Sequence, residues 1–165
     1  MANNYFFTGE KGIGKSTLID LYLKKHFCGK VGGFKTVKKV HEGRRVSFHL
    51  VSPNYVGDLN DDNLLFYCHD ASLNEGFDVN ERFNILSTIF DDYNEYDIII
   101  MDEIGPHEEN AEIFKDKIRK VLDSDKYVLG VIQKSESKFL DELKKRKDVK
   151  LLNVTKENRD RIFLT

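Results

Sequence analysis

Gly9-Glu-Lys-Gly-Ile-Gly-Lys-Ser16 fits the pattern G-x-x-x-x-G-K-[ST] at every fixed position and follows an apolar run that ends Tyr5-Phe-Phe-Thr8. The pattern is that of a phosphate-binding loop, the Walker A element. Its glycines let successive backbone N–H groups turn inward on a polyphosphate, and the helix that opens there points the positive end of its dipole at the same anion. Thr17 to Phe27 supplies apolar residues at helical spacing, so the strand, loop and helix that the motif requires occur in order. In this reading Gly9, Glu10, Lys11, Gly12, Ile13, Gly14, Lys15, Ser16 and Thr17 are the nucleotide-binding segment. Lys15 reaches the β and γ phosphates, and the Ser16 hydroxyl takes one coordination place on Mg²⁺.

The 165 residues are enough for one well-filled core and few for two, so a single domain over residues 1–165 is expected. Lys and Arg number 26 against 28 Asp and Glu, and a formal charge of -2 exerts no general pull toward nucleic acid or an anionic membrane. Only a local basic patch would serve such a partner. The longest aliphatic run, Ile98 to Met101, is far below the roughly 20 residues that cross a bilayer. The N-terminus enters the first strand without the basic segment and apolar core of a secretory signal. Cys28 and Cys68 lack metal-ligand spacing and are expected to be half-buried packing residues in a reducing cytoplasm.

Beyond the first helix, β-branched and aromatic runs alternate with helical-period segments, the pattern of an α/β fold with a mainly parallel central sheet flanked by helices. Residues 32–40 and 45–51, joined at Glu42-Gly43, alternate as a β-hairpin expected at an edge of the sheet. Leu64 to Cys68 reads as a strand, and Val79 to Tyr93 as a helix with Val79, Phe83, Leu86 and Phe90 on one face. Further strands are expected at Asp97 to Asp102, Tyr127 to Ile132 and Val149 to Val154. Helices are expected at Ala111 to Leu122, Lys138 to Arg146, and from about Glu157 onward.

Asp97-Ile-Ile-Ile-Met-Asp102-Glu103 is apolar along its length and ends in two carboxylates. Beside a phosphate loop this is a Walker B element, in which Asp102 holds Mg²⁺ and Glu103 accepts a hydrogen bond from water placed in line with the γ-phosphate. Gln133 and Lys134 follow the next strand, where ligands bind in such sheets. Gln133 reads as a contact to the γ-phosphate or the attacking water, or as an exposed loop glutamine; Lys134 reads as a substitute for an arginine finger at the γ-phosphate, or as a solvated lysine.

Gly9 to Thr17, Gly32-Gly-Phe34, Asp102-Glu-Ile-Gly105, Val128 to Ile132 and Thr155-Lys-Glu-Asn-Arg-Asp160 together resemble, in order and spacing, the THEP-type nucleoside-triphosphatases. The resemblance covers most of the chain and is weakest between residues 52 and 78. It implies a RecA-like α/β domain that slowly hydrolyses several nucleoside triphosphates with Mg²⁺. Lys15 and Ser16 match the phosphate-loop pair, Asp102 the metal aspartate, and Glu103 the water-activating carboxylate. Asn158 and Arg159 fall in the closing motif, as a wall for base or ribose or as a cap paired within the core. Pro106-His-Glu108 and Gln133-Lys134 depart from the family's usual residues, which bears on rate and nucleotide preference.

The expected activity is hydrolysis of ATP, GTP, CTP and UTP with low base selectivity, since no segment matches the Asn-Lys-x-Asp signature of small GTPases. A nucleoside or small-molecule kinase would use the same loop under an arginine-rich lid, for which only Arg44-Arg45 offers itself. A nucleotide-gated module for nucleic acid or protein would rest on Lys35, Lys38, Lys39, Arg44 and Arg45.

Overall fold

The computed structural model describes residues 3–68 and 71–162. It contains seven strands, β1 (Asn4–Thr8), β2 (Val31–Val40), β3 (Val46–Val51), β4 (Leu64–Cys68), β5 (Ile98–Ile104), β6 (Tyr127–Ile132) and β7 (Val149–Asn153). Four α-helices accompany them: α1 (Lys15–His26), α2 (Val79–Leu86), α3 (Glu112–Leu122) and α4 (Lys138–Lys145). The strands form one sheet in the order β4-β3-β2-β5-β6-β1-β7. From β2 to β7 every pairing is parallel, and β3 and β4 extend it antiparallel beyond β2.

β5 is apolar from Ile98 to Met101 because it is covered there on both faces. Ile98 and Ile100 join Phe7, Leu129 and Val131 beneath Leu18 and Ile19 of α1. Ile99, Met101 and Ile104 face the opposite layer, with Phe6, Phe34, Phe114, Ile118, Phe139 and Leu140. α1 and the phosphate loop therefore share one face of the sheet, and α3 and α4 cover the other.

β2 has two roles. Val31 to Lys35 pairs parallel with β5, and Lys35 to Val40 pairs antiparallel with β3. The expected hairpin is thus on the outer side of the sheet, but β4 adds the terminal strand beyond it and the first half of β2 is interior. A turn-based reading detects the hairpin and is blind to the second partner of the same strand.

The segment read as a helix over 79–93 ends its α-helix at Leu86 and continues as short 3₁₀ turns at Ser87–Phe90 and Tyr93–Glu95. Ser87 Oγ donates to the Asn84 carbonyl at 2.6 Å, a local bond that competes with continued helix. Phe83 and Phe90 are buried all the same. β5 runs two residues past Asp102, so both terminal carboxylates lie within the strand. The closing helix expected from Glu157 is one 3₁₀ turn, Arg159–Arg161, and its remainder falls outside the described residues. Cys28 is exposed, against expectation, and Cys68 half-buried. Among the described residues no helix is long and apolar enough to cross a membrane.

Gly33 sets the approach of β2 to β5. Its φ is +92°, and a Cβ there would lie 2.0 Å from the Ile100 carbonyl oxygen. Gly33→Ala is expected to cost on the order of 3 kcal/mol through strain at this seam, read from urea unfolding. An unchanged midpoint would mean that the strands separate here at no cost.

Candidate nucleotide site

The site is assembled at the carboxyl ends of β1, β5, β6 and β7. After Thr8 the chain turns at Gly9, whose φ is +143° and where a Cβ would lie 2.5 Å from the Val154 carbonyl oxygen. Only glycine lets the loop pass so close to the end of β7. α1 then starts at Lys15 with Gly14 as its N-cap and no side chain capping it. The N–H groups of a first helical turn have no intrahelical acceptor, so this end of α1 offers donors and a positive dipole end to an anion.

Lys15 is buried, and its Nζ donates to the carbonyls of Gly9 at 3.0 Å and Glu10 at 2.8 Å. Ser16 Oγ donates to Asp102 Oδ1 at 2.9 Å, linking the first turn of α1 to β5. Asp102 is 8% exposed. Burial pushes its carboxyl up to about 6; the Glu103 and Asp20 carboxylates push the same way, and the Ser16 bond and Lys35 oppose them.

The Asp102–Glu103 peptide is cis. Glu103 is half-buried and accepts a short hydrogen bond from Gln133 Nε2. Gln133 is itself set by its backbone N–H, which donates to the Ile104 carbonyl at 2.9 Å. Gly105 lies under it, where an added Cβ would come within 3.0 Å of the Gln133 amide carbon. Glu108 is buried and accepts from Gly105 N at 3.1 Å; desolvation pushes its carboxyl up to about 8. Glu109 accepts from Ser137 Oγ and from Phe139 N, the latter at 3.2 Å, which joins the turn after β5 to the start of α4. Between these two clamps lie Gln133 and Lys134. Lys134 Nζ is paired with Glu10 Oε1 at 2.6 Å across the mouth of the loop, and this contact holds the Glu10 carboxyl below its ordinary range.

Lys15, Glu103, Gln133 and Lys134 surround a cleft of about 300 Å³ floored by Gly9 to Gly12. A second cleft, of about 370 Å³, adjoins it across Glu10 and Lys134 and is walled by Ile13 and residues 153–156.

A sequence model of the family described as NTPase matches residues 4–165. The chain belongs to this family, that of the nucleoside-triphosphatase THEP1 proteins. It is 33% identical over 175 residues to nucleoside-triphosphatase THEP1 of Thermofilum pendens, covering 96% of this chain and 90% of that protein. With the protein of the same name from Methanocaldococcus jannaschii it shares 31% identity over 165 residues, covering 96% and 91%. The fold is that of the crystal structure of THEP1 from the hyperthermophile Aquifex aeolicus, with a TM-score of 0.62 at 24% identity, covering 98% of this chain and 95% of that one.

Within this THEP1-family site, not every residue singled out from the sequence lies at the clefts. Asn158 closes its own turn: its Nδ2 donates to the Asn153 carbonyl and its Oδ1 accepts from Thr155 N, both at 2.8 Å. Arg159 pairs with Asp160 at 3.1 Å, and its Cδ lies 3.5 Å from where a Cβ on Gly14 would stand, so it rests against the loop. Three further residues bear on the site and do not stand out in the sequence as site residues. Asp20 is four residues beyond Ser16, a spacing that sets both on one face of α1 and is the one signal the sequence offers for it. Lys35 reaches Asp102 only through the β2–β5 register, and Glu108 is significant only because it is buried.

A carboxyl whose folded value is about 6 against an ordinary 3.8 destabilises the fold once it ionises. Below the ordinary value Asp102 is protonated in both states and carries no penalty; the penalty grows as pH rises and is complete above the folded value. Asp102→Asn keeps an acceptor for Ser16 and never ionises. It should therefore match the native protein near pH 4 and exceed it increasingly toward pH 8, by at most about 3 kcal/mol. Thermal melts across this range check it, and a difference that does not grow with pH would remove the penalty assigned to Asp102.

Proposed function

We propose that this chain hydrolyses nucleoside 5'-triphosphates (ATP, GTP, CTP and UTP) to the diphosphate and phosphate, slowly, with Mg²⁺ and with low base selectivity. The observation that carries the reading is the union of a complete phosphate loop with the Asp102-Glu103 pair, through the 2.9 Å bond from Ser16 to Asp102, with Glu103 facing the same cleft as Lys15. The relatives named nucleoside-triphosphatase THEP1 support the same reaction.

The donor chemistry suits a hard cation. Ser16 and Asp102 present a hydroxyl and a carboxylate oxygen, and no group of three His, Cys, Asp or Glu side chains forms a closed metal cage among the described residues. Mg²⁺ is commonly held by one or two protein oxygens and by substrate phosphates, and Ser16 and Asp102 would hold it here. When bound it neutralises charge developing on the phosphate oxygens.

The chain's own groups do the rest. The phosphates take the place of the Gly9 and Glu10 carbonyls as partners of the Lys15 ammonium, and the first N–H groups of α1 bind the same anion. Glu103 accepts a hydrogen bond from the attacking water and takes up its proton, while Gln133 holds the carboxylate in place. The base lies in the adjoining cleft against Ile13 and the turn at 153–156, a wall that tolerates any of the four bases. The two free cysteines suit a reducing cytoplasm.

Phosphate release from the four nucleotides with Mg²⁺ tests the reading. The native protein is expected to turn over several of them, and Glu103→Gln and Lys15→Ala to lose about 100-fold or more of that rate. Nucleotide binding without phosphate release by the native protein would reject hydrolysis, and transfer to an added nucleoside would assign the loop to a kinase.

A further inference from the structure

Lys35 is the last residue of β2 that pairs with β5, and its register partner is Asp102. It therefore stands at the carboxyl end of a parallel strand next to the one that bears Asp102 and Glu103, where ligands bind in such sheets. Side chains alternate along a strand, so Lys35 shares a face with Val31, which packs in the layer under α1. Ile98, Ile100 and Asp102 occupy that face of β5. Lys35 and Asp102 thus point into the layer that holds Ser16, with Asp20 opposite on α1.

Of the other cations near the site, Lys15, Lys134 and Arg159 are committed, whereas Lys11 is exposed on the loop and lines both clefts. Lys15 is held by two loop carbonyls, Lys134 by Glu10, and Arg159 by Asp160. Lys39, further along the same face of β2, donates to the Leu59 carbonyl at 2.7 Å. Lys35 is half-buried and forms neither a hydrogen bond nor an ion pair among the described residues. Its charge acts only at longer range on Asp102. A half-buried lysine whose register partner is Asp102, without a hydrogen bond or ion pair among the described residues and on a flexible four-carbon stem, is placed to receive an anion.

The geometry points to Lys35 as a second phosphate-binding cation, supplied in cis from β2 on the far side of β5 from Lys15, that contacts the terminal phosphate of a bound nucleoside triphosphate. This rests on the triphosphatase reading for its consequence in turnover, but not for its consequence in binding. The terminal phosphate lies toward Asp102 and Glu103, whereas the α and β phosphates lie against the loop. Lys35 therefore separates triphosphates from diphosphates.

The experiment measures affinity for a non-hydrolysable ATP analogue and for ADP by calorimetry with Mg²⁺, together with phosphate release from ATP. It compares the native protein with Lys35→Met, Lys35→Arg and the control Lys38→Met, which alters a lysine on the opposite face of β2. Lys35→Met should lose about 10-fold in analogue affinity and about 10- to 100-fold in rate while ADP affinity stays within about 2-fold. Lys35→Arg should restore most of the loss, and Lys38→Met should behave as native. Equal losses for analogue and ADP, or no loss for either, would overturn the assignment. If the native protein releases no phosphate while its preference for the triphosphate disappears in Lys35→Met, hydrolysis fails and the assignment of Lys35 stands. If the native protein hydrolyses ATP and Lys35→Met keeps both turnover and preference, hydrolysis stands and the assignment of Lys35 fails.

Discussion

The hydrogen bond from Ser16 Oγ to Asp102 Oδ1, 2.9 Å long, joins the first turn of α1, which follows β1, to β5, although β6 lies between β1 and β5 in the sheet. It forms only if β5 turns Asp102 toward α1, which requires Ile98 and Ile100 to pack under α1 while Ile99 and Met101 pack in the opposite layer. A slip of one residue would send Asp102 into the aromatic layer of Phe34 and Phe114 and bring Met101 to the loop. Burial on both faces prevents the slip. Gly33 contributes by letting β2 close on β5, which fixes Lys35 beside Asp102.

Three carboxyls near one another are given three conditions by their surroundings. Asp102 is buried yet keeps a donor, so its value rises only to about 6 and it ionises near neutrality. Glu103 is half-buried, bonded to Gln133 and faces the cleft. Glu108, 3% exposed, is raised to about 8 and is held neutral at physiological pH, where it anchors the Gly105 amide beneath Gln133. The Asp102 and Glu103 carboxylates, partly balanced at Asp102 by Lys35, disfavour the empty fold and suit a cation and a polyphosphate together. Stability forgone here is recovered in the two apolar layers of the sheet.

Much of this is legible in the chain. The phosphate loop, the apolar strand ending at Asp102-Glu103, β6 and the polar pair Gln133-Lys134 after it are each readable from a short segment, since an apolar run with a polar end specifies both a covered strand and its exposed terminus. The limits also have local causes. The helix expected through Tyr93 stops at Leu86 because Ser87 bonds to a backbone carbonyl, and Asn158, read as a wall for the base or a cap, uses its amide on the turn from Asn153 to Thr155. β4 is legible as a strand, but its place beyond β3 is not.

The sequence by itself determined the nucleotide-binding loop and the α/β fold, because a phosphate loop is built from the backbone of consecutive residues and needs no distant partner to be recognised. The tertiary structure alone decided which charges meet at it. Lys35 and Asp102 are far apart in sequence and are neighbours only through strand register. Glu108 is a neutral support because it is buried, and Lys134 closes on Glu10 because β6 ends beside the loop. Register and burial come from packing the whole sheet, and side-chain charge acts through space, so neither can be read along the chain.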